Sequence, residues 1–217
     1  MKVQVVIATP GHSMLSGYVR SVLALTDVLT RKGITWAWAS EYSSHVADAR
    51  ERTINGDNVN DVNEQRPFKG NIDYDKILWI DSDIIFNPED AMKLIESDKD
   101  IITGAYLLGS GEVTIYKELL KPGLMYKDVL EMKDLTKIAG CGFGFVAVKK
   151  GVFESLTRPW FQATMVETED GFKFPMMGED LSWCKRVMDA GYDIWFDPSV
   201  KVIHHKMFKL TWEGIAL

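Results

Sequence analysis

Lys76–Asp83, KILWIDSD, is the stretch on which the reading of the chain turns. It is an apolar run of strand length that stops at two aspartates separated by one serine. In an extended segment residues i and i+2 point to the same side, so this spacing directs the Asp81 and Asp83 carboxylates toward one point. Two converging anions require a cation. Hard oxygen ligands at that spacing suit Mg²⁺ or Mn²⁺, which keep open positions for water and the oxygens of a bound diphosphate. A solvated turn presents the same pair, so the motif takes its meaning from its surroundings.

Working outward toward the N-terminus, Val3–Ala8 is a β-branched run that opens into Thr9-Pro10-Gly11, as a buried strand entering a loop does. Tyr18, Val22, Leu25 and Leu29 follow at helical spacing and Gly33 closes the helix. Ile34–Ala39 reads as a second strand, Ser44 caps a helix from His45 to Ile54, and Asn55–Asp73 is an irregular connection. On the other side, Asn87-Pro88-Glu89-Asp90 starts a helix to about Ser97, and Asp100–Leu107 is a fourth strand. The order β-α-β-α-β-α-β predicts an α/β fold with a mostly parallel central sheet flanked by helices. Its ligands belong outside the carboxyl ends of the strands, where the two aspartates lie.

The second half is less regular. Phe143–Val148 is a strand preceded by Gly140, Gly142 and Gly144, and Lys150–Leu156 is a short helix candidate. Pro159–Pro175 is aromatic and turn-rich; Trp160 and Phe161 belong either to a lid over the site or to the core. Gly178-Glu179-Asp180 opens a helix with Leu181, Cys184, Val187 and Met188 on its apolar face, stopped by Gly191. Two short strands, Asp193–Phe196 and Val200–Ile203, then deliver His204 and His205. Acids in the first turn of a helix favourably meet its positive end, which accounts for Glu179 and Asp180 without any chemistry.

At 217 residues, 46% hydrophobic and 26% charged, the chain is expected to be one globular domain. A net charge of −6 without a basic block argues against nucleic acid as a partner. No apolar stretch approaches a membrane span, and the N-terminus reads as a strand rather than a leader. Cys141 and Cys184 lack metal-ligand spacing and read as reduced thiols of a cytoplasmic protein.

The aspartate motif, taken with GEDLSWCKRVMDAGYDIWFDPSVKVIHH from Gly178 to His205, resembles the GT-A glycosyltransferases, and more narrowly their family-2-like branch. VVIATP and the glycine-spaced strand leading into KKGVFESL resemble the same family, in the same order along nearly the whole chain. The resemblance implies a nucleotide-binding half at 1–107 and an acceptor and metal half at 108–217. It implies a metal set of Asp81, Asp83 and His204, with Asp81 also near the ribose and diphosphate. His204, six residues after Pro198, matches the family's ligand histidine. An imidazole ligand favours Mn²⁺ over Mg²⁺. Asp180 matches the family's base, with Glu179 as its coupled neighbour. Thr9, Pro10, Arg50, Ser82, Gly142 and Gly144 are expected at the nucleotide sugar, Arg50 through phosphate or ribose unless it is an exposed salt-bridging residue. The glycines would let a sugar approach the backbone or mark a bulge, and Tyr106 lies near the donor by position.

The activity implied is transfer of a sugar from a UDP- or GDP-linked donor to a hydroxyl of a glycan or glycoconjugate, with a lean toward inversion. A nucleotidyltransferase acting on sugar phosphates would want a basic glycine-rich loop after the first strand, and Thr9–Ser16 holds no lysine or arginine. A non-catalytic nucleotide-sugar-binding module would need neither Asp180 nor a metal set drawn from both halves.

Overall fold

The computed structural model describes residues 1–55, 63–167, 173–206, 209–211 and 214–216. The first half runs β1 (Lys2–Ala8), α1 (Ser16–Arg31), β2 (Trp36–Ala39), α2 (Val46–Asn55), β3 (Asp73–Ile80), β4 (Ile84–Ile85), α3 (Pro88–Glu96) and β5 (Ile101–Ala105). It continues through β6 (Ile115–Tyr116), α4 (Tyr126–Glu131), β7 (Thr136–Ile138), β8 (Gly140–Cys141) and β9 (Phe145–Lys149). Then come β10 (Thr164–Glu167), β11 (Lys173–Met177), α5 (Glu179–Asp189), β12 (Ile194–Lys201) and β13 (Ile203–His204), with a last hairpin of β14 (Lys209–Thr211) and β15 (Gly214–Ala216).

A seven-stranded sheet in the order β2-β1-β3-β9-β5-β12-β7 is the centre of the molecule. β2, β1 and β3 are parallel, and β12 is parallel to β5. β9 is antiparallel to both β3 and β5, so those two share one direction and the sheet is mostly parallel. The strand expected at Phe143–Val148 therefore slots between the third and fourth strands of the repeating half. Its residues are buried on both faces, which an edge position would not allow.

Alternation along the strands sorts side chains onto the two faces. Val5, Ile7, Leu78, Ile80, Phe145 and Ala147 pack with Leu25 and Leu29 of α1 and Leu94 of α3. Val6, Ile77, Trp79, Val146 and Val148 pack with Ile54 of α2 and with Trp183 and Val187 of α5. α1 ends as its sequence predicts: Gly33 takes φ +70°, its N–H reaches the Thr30 carbonyl at 3.1 Å, and the Ile34 N–H reaches Leu29 at 2.9 Å.

Two expectations change and one open alternative is decided. Asp193–Phe196 and the first half of Val200–Ile203 are joined in one strand, β12, with a bulge, while Ile203 opens β13: Phe196 pairs with Thr103 and Lys201 with Ala105, so five steps on β12 match two on β5. Pro198 has no N–H to donate within that stretch, and Gly104 leaves the room the bulge fills, because a Cβ there would meet Val200 Cγ1 at 2.4 Å. Lys150–Leu156 forms only a 3₁₀ turn at Phe153–Ser155. Trp160 and Phe161 are core residues, Phe161 packing edge-on to Trp79 and Phe143, so they form no lid. The irregular connection and the aromatic stretch fall in part, at 56–62 and 168–172, outside the described residues.

Buried charge anchors the start of that aromatic stretch. Glu51 of α2 accepts hydrogen bonds from Arg158 Nε (2.7 Å) and from the Trp160 and Phe161 N–H groups (2.9 and 3.3 Å). Arg158 and Glu51 have side chains 1% and 6% exposed.

Candidate active site

β3 delivers Asp81 at its carboxyl end, and there the chain turns rather than continuing extended: the Ile84 N–H bonds back to the Asp81 carbonyl at 3.0 Å. The expected convergence of Asp81 and Asp83 rested on an extended backbone, whereas the backbone here turns. Their carboxylates take separate partners. Asp81 Oδ2 lies 3.5 Å from Arg50 Nη2, whereas Asp83 Oδ2 lies 3.2 Å from His204 Nε2 and 3.3 Å from Lys206 Nζ.

The pairing of β4 with β13 brings Asp83 and His204 together across 121 residues. His204 is opposite Ile84 in that pair, and the His205 N–H bonds the Asp83 carbonyl at 2.9 Å. The other nitrogen of His204, Nδ1, lies 2.8 Å from the Leu107 carbonyl, which can only accept, so Nδ1 carries the proton. In a neutral ring the Nε2 lone pair then faces the Asp83 carboxylate. Two acceptors facing each other need a proton or a metal ion between them. With a proton there, the hydrogen bonds to Asp83 and Leu107 outweigh burial and raise the pKa of His204. Burial would raise Asp83, but the bond and charge of His204, helped by Lys206, hold it low.

The same pair fits a divalent cation. Two ligands at right angles, each about 2.1 Å from an octahedral ion, lie about 3.0 Å apart, close to the Asp83–His204 spacing. The Nδ1–H bond to a backbone carbonyl is the orienting contact that metal-bound histidines commonly make. Among the described residues no group of three or more potential ligand side chains clusters. Of the expected trio of Asp81, Asp83 and His204, the last two are in direct contact, while Asp81 lies toward Arg50 and feels the charges of both. A two-donor site completed by substrate oxygens suits Mn²⁺ or Mg²⁺.

Arg50 is not an exposed salt-bridging residue. Its side chain is 5% exposed, with Nη1 on Glu179 Oε1, Nη2 toward Asp81, and its guanidinium carbon 5.4 Å from the centre of the Phe143 ring. Nε has no hydrogen-bond partner among the described residues. Glu179 and Asp180 open α5, and Asp180 Oδ1 accepts the Leu181 N–H at 2.7 Å. Burial raises the pKa of Asp180, Arg50 opposes the shift, and Glu179 adds to it. Burial likewise raises Asp81, against Arg50 and with Asp83.

A cleft of about 280 Å³ lies beside these groups, lined by Pro10, Gly11, Tyr42, Ser43, Asp81 and Asp83 among others. Ser82 sits against Gly11, where φ is +143° and a Cβ would come within 2.9 Å of Ser82 Oγ. Thr9, expected at the nucleotide, is fully buried: its hydroxyl pairs with Tyr18 and accepts from Trp38 Nε1 at 3.3 Å. The room at Gly142 and Gly144 is taken by the Tyr106 ring, whose hydroxyl would meet a Cβ at 142 within 2.2 Å and accepts the Gly144 N–H at 3.1 Å. Those glycines seat Tyr106, and Tyr106 in turn packs edge-on to His204.

Sequence reasoning missed Tyr42, Ser43 and Lys206. The first two follow β2 at the carboxyl edge of the parallel strands, where ligand-binding loops are expected, and that rule alone points to them. Tyr42 is 54% exposed and its ring lies 4.9 Å from that of His12 at the mouth of the cleft. Lys206 carries no signal in the sequence.

Neither a family model nor a curated protein sequence matches the chain. Its fold is that of the GT-A glycosyltransferases, a single domain with a large, mostly parallel sheet flanked by helices. A197 from STIV superposes with a TM-score of 0.57 at 19% identity, over 99% of this chain and 93% of that one. GalNAc-T7, solved with UDP, GalNAc and Mn²⁺, gives a TM-score of 0.52 at 11% identity over 93% of this chain. The match covers 44% of the GalNAc-T7 chain, so the present chain spans less than half of that protein's length. At these identities the likeness is one of fold. No helix of the described residues is long and apolar enough to cross a membrane.

Proposed function

We propose that the protein is a divalent-cation-dependent glycosyltransferase that moves a sugar from a UDP- or GDP-linked donor to a hydroxyl of a glycan or glycoconjugate, with inversion. The observation that carries this reading is the convergence of Asp83 and His204 from opposite ends of a GT-A fold at the rim of the cleft. The Mn²⁺ and UDP bound by a structural neighbour support the choice of ligands.

In this reading Asp83 Oδ2 and His204 Nε2 would hold the cation, which would neutralise charge gathering on the departing diphosphate. Pro10, Gly11 and Ser82 shape the cleft for the nucleotide, and Tyr42 offers it an aromatic face. Lys206, beside Asp83, adds positive charge where the phosphates would lie. Asp180 takes the proton from the acceptor hydroxyl as that oxygen attacks the sugar carbon opposite the leaving group. Glu179 is committed to Arg50, which favours Asp180 as the base.

A thermal-shift screen of UDP-, GDP-, CDP- and dTDP-sugars, each with and without Mn²⁺, tests the reading. A ligand that binds only the native state raises the apparent melting temperature, so a UDP- or GDP-sugar is expected to do so with Mn²⁺ present. No shift with any donor would contradict it and favour a nucleotidyltransferase.

A further inference from the structure

Arg50 is a buried cation among three carboxylates, those of Asp81, Glu179 and Asp180, and it comes from a helix that carries none of them. A guanidinium has the fork geometry to serve two carboxylates at once, which an ammonium lacks. Here one arm goes to Glu179 at the start of α5 and the other to Asp81 at the end of β3. Its neighbour Glu51 ties the same turn of α2 to Arg158 and to the N–H groups of Trp160 and Phe161. The backbone that presents Arg50 is therefore held from the opposite side. With its side chain 5% exposed and both arms engaged, Arg50 is poorly placed to reach a donor phosphate in the open cleft.

We propose that Arg50 is a positioning residue for the transfer step: it joins the Asp81 turn to the head of α5, on which Asp180 sits, rather than binding the donor. This rests on the transferase reading only for the meaning of Asp180 as base. The linkage itself is a property of the free protein. Among the described residues, the titratable groups whose charge acts on Asp180 or is acted on by it are Arg50 from α2, Glu179 from its own helix, Tyr116 from β6, and the Cys184 thiol with Cys141 behind it. Burial keeps the tyrosine and Cys184 neutral, which among the described residues leaves Arg50 as the cation acting on Asp180.

The test follows the Asp180 side-chain carboxyl by NMR in protein labelled with ¹³C-aspartate, assigned with Asp180→Asn, as pH is varied without any donor. An aspartate beside an arginine is typically held down by about 1–3 pH units, so Arg50→Gln is expected to move the midpoint up by about one unit, roughly tenfold in proton affinity. Arg50→Lys keeps the charge and is expected to leave the midpoint near that of the wild type. It loses the fork, so Mn²⁺-dependent transfer falls about tenfold, as misplacement of a catalytic group does. An unchanged midpoint in Arg50→Gln, or full transfer by Arg50→Lys, overturns the proposal. If Arg50→Gln does not fold, the double variant Arg50→Gln/Asp81→Asn, which removes a buried carboxylate with its partner cation, carries the same titration. If the wild type transfers no sugar, the transferase reading fails while the titration still decides the role of Arg50.

Discussion

Replacing Asp180 by asparagine is expected to lower the rate of sugar transfer by about 10²–10⁴-fold, the usual contribution of a positioned general base. Donor binding should stay close to that of the wild type. The amide keeps the Oδ1 that accepts the Leu181 N–H at 2.7 Å, so the head of α5 stays intact and what is lost is the ability to take a proton. The rate profile carries a second signature. A helix N-terminus lowers a carboxylate's pKa, yet Asp180 is raised, because burial outweighs Arg50 and Glu179 adds to it. A base works only when deprotonated, so as pH falls the wild-type rate should drop at a value above the ordinary aspartate range. A radiolabelled-donor assay across pH gives both readings. An asparagine variant with the wild-type rate would send the search for the base elsewhere.

The second large effect is on stability. Glu51→Ala should lower the free energy of unfolding by about 3–5 kcal/mol, the cost of removing one partner from a buried ion pair. Arg158, with its side chain 1% exposed, would lose its carboxylate, and two backbone N–H groups, those of Trp160 and Phe161, would lose their acceptor. A domain is stable by only about 5–15 kcal/mol, so the variant should sit near the edge of folding. The control is Asp27→Ala, which breaks the Arg31 pair whose side chains are 78% and 54% exposed and should cost less than about 1 kcal/mol. Urea unfolding of the three proteins reads the difference, and equal losses in the two variants would contradict the account of the buried network.

Much of the fold was legible because it depends on local signals. The Val3–Ala8 run, the glycine at 33 and the Asn87-Pro88 helix start each act through their own backbone, and each element lies where the pattern put it. The position of β9 was not legible: an apolar run buried on both faces states that it has two neighbours but not which way it runs. The aspartate motif shows the same limit. Its strand was correctly read, but the convergence of Asp81 and Asp83 assumed that the extended backbone continued two residues past Ile80, where the chain instead turns. The partners that decide the site lie far off in sequence: His204 is 121 residues from Asp83, and Glu179 is 129 from Arg50. Arg50 was the hardest to read. A charged residue on a polar helix usually faces water, and only distant partners, acids for Arg50 and Arg158 with two backbone N–H groups for Glu51, explain why both face inward.

The central claim is that Asp83 and His204 share one divalent cation. Pulsed electron paramagnetic resonance of Mn²⁺ bound with UDP or GDP reads it most directly, because a coordinated histidine nitrogen modulates the electron spin echo. The chain has four histidines, so the assignment can be completed by single substitutions. The expected result is nitrogen modulation in the wild type and in His205→Ala, its loss in His204→Ala, and loss of tight Mn²⁺ binding in Asp83→Asn. Nitrogen modulation that survives His204→Ala, or tightly bound Mn²⁺ with no nitrogen ligand, would contradict it.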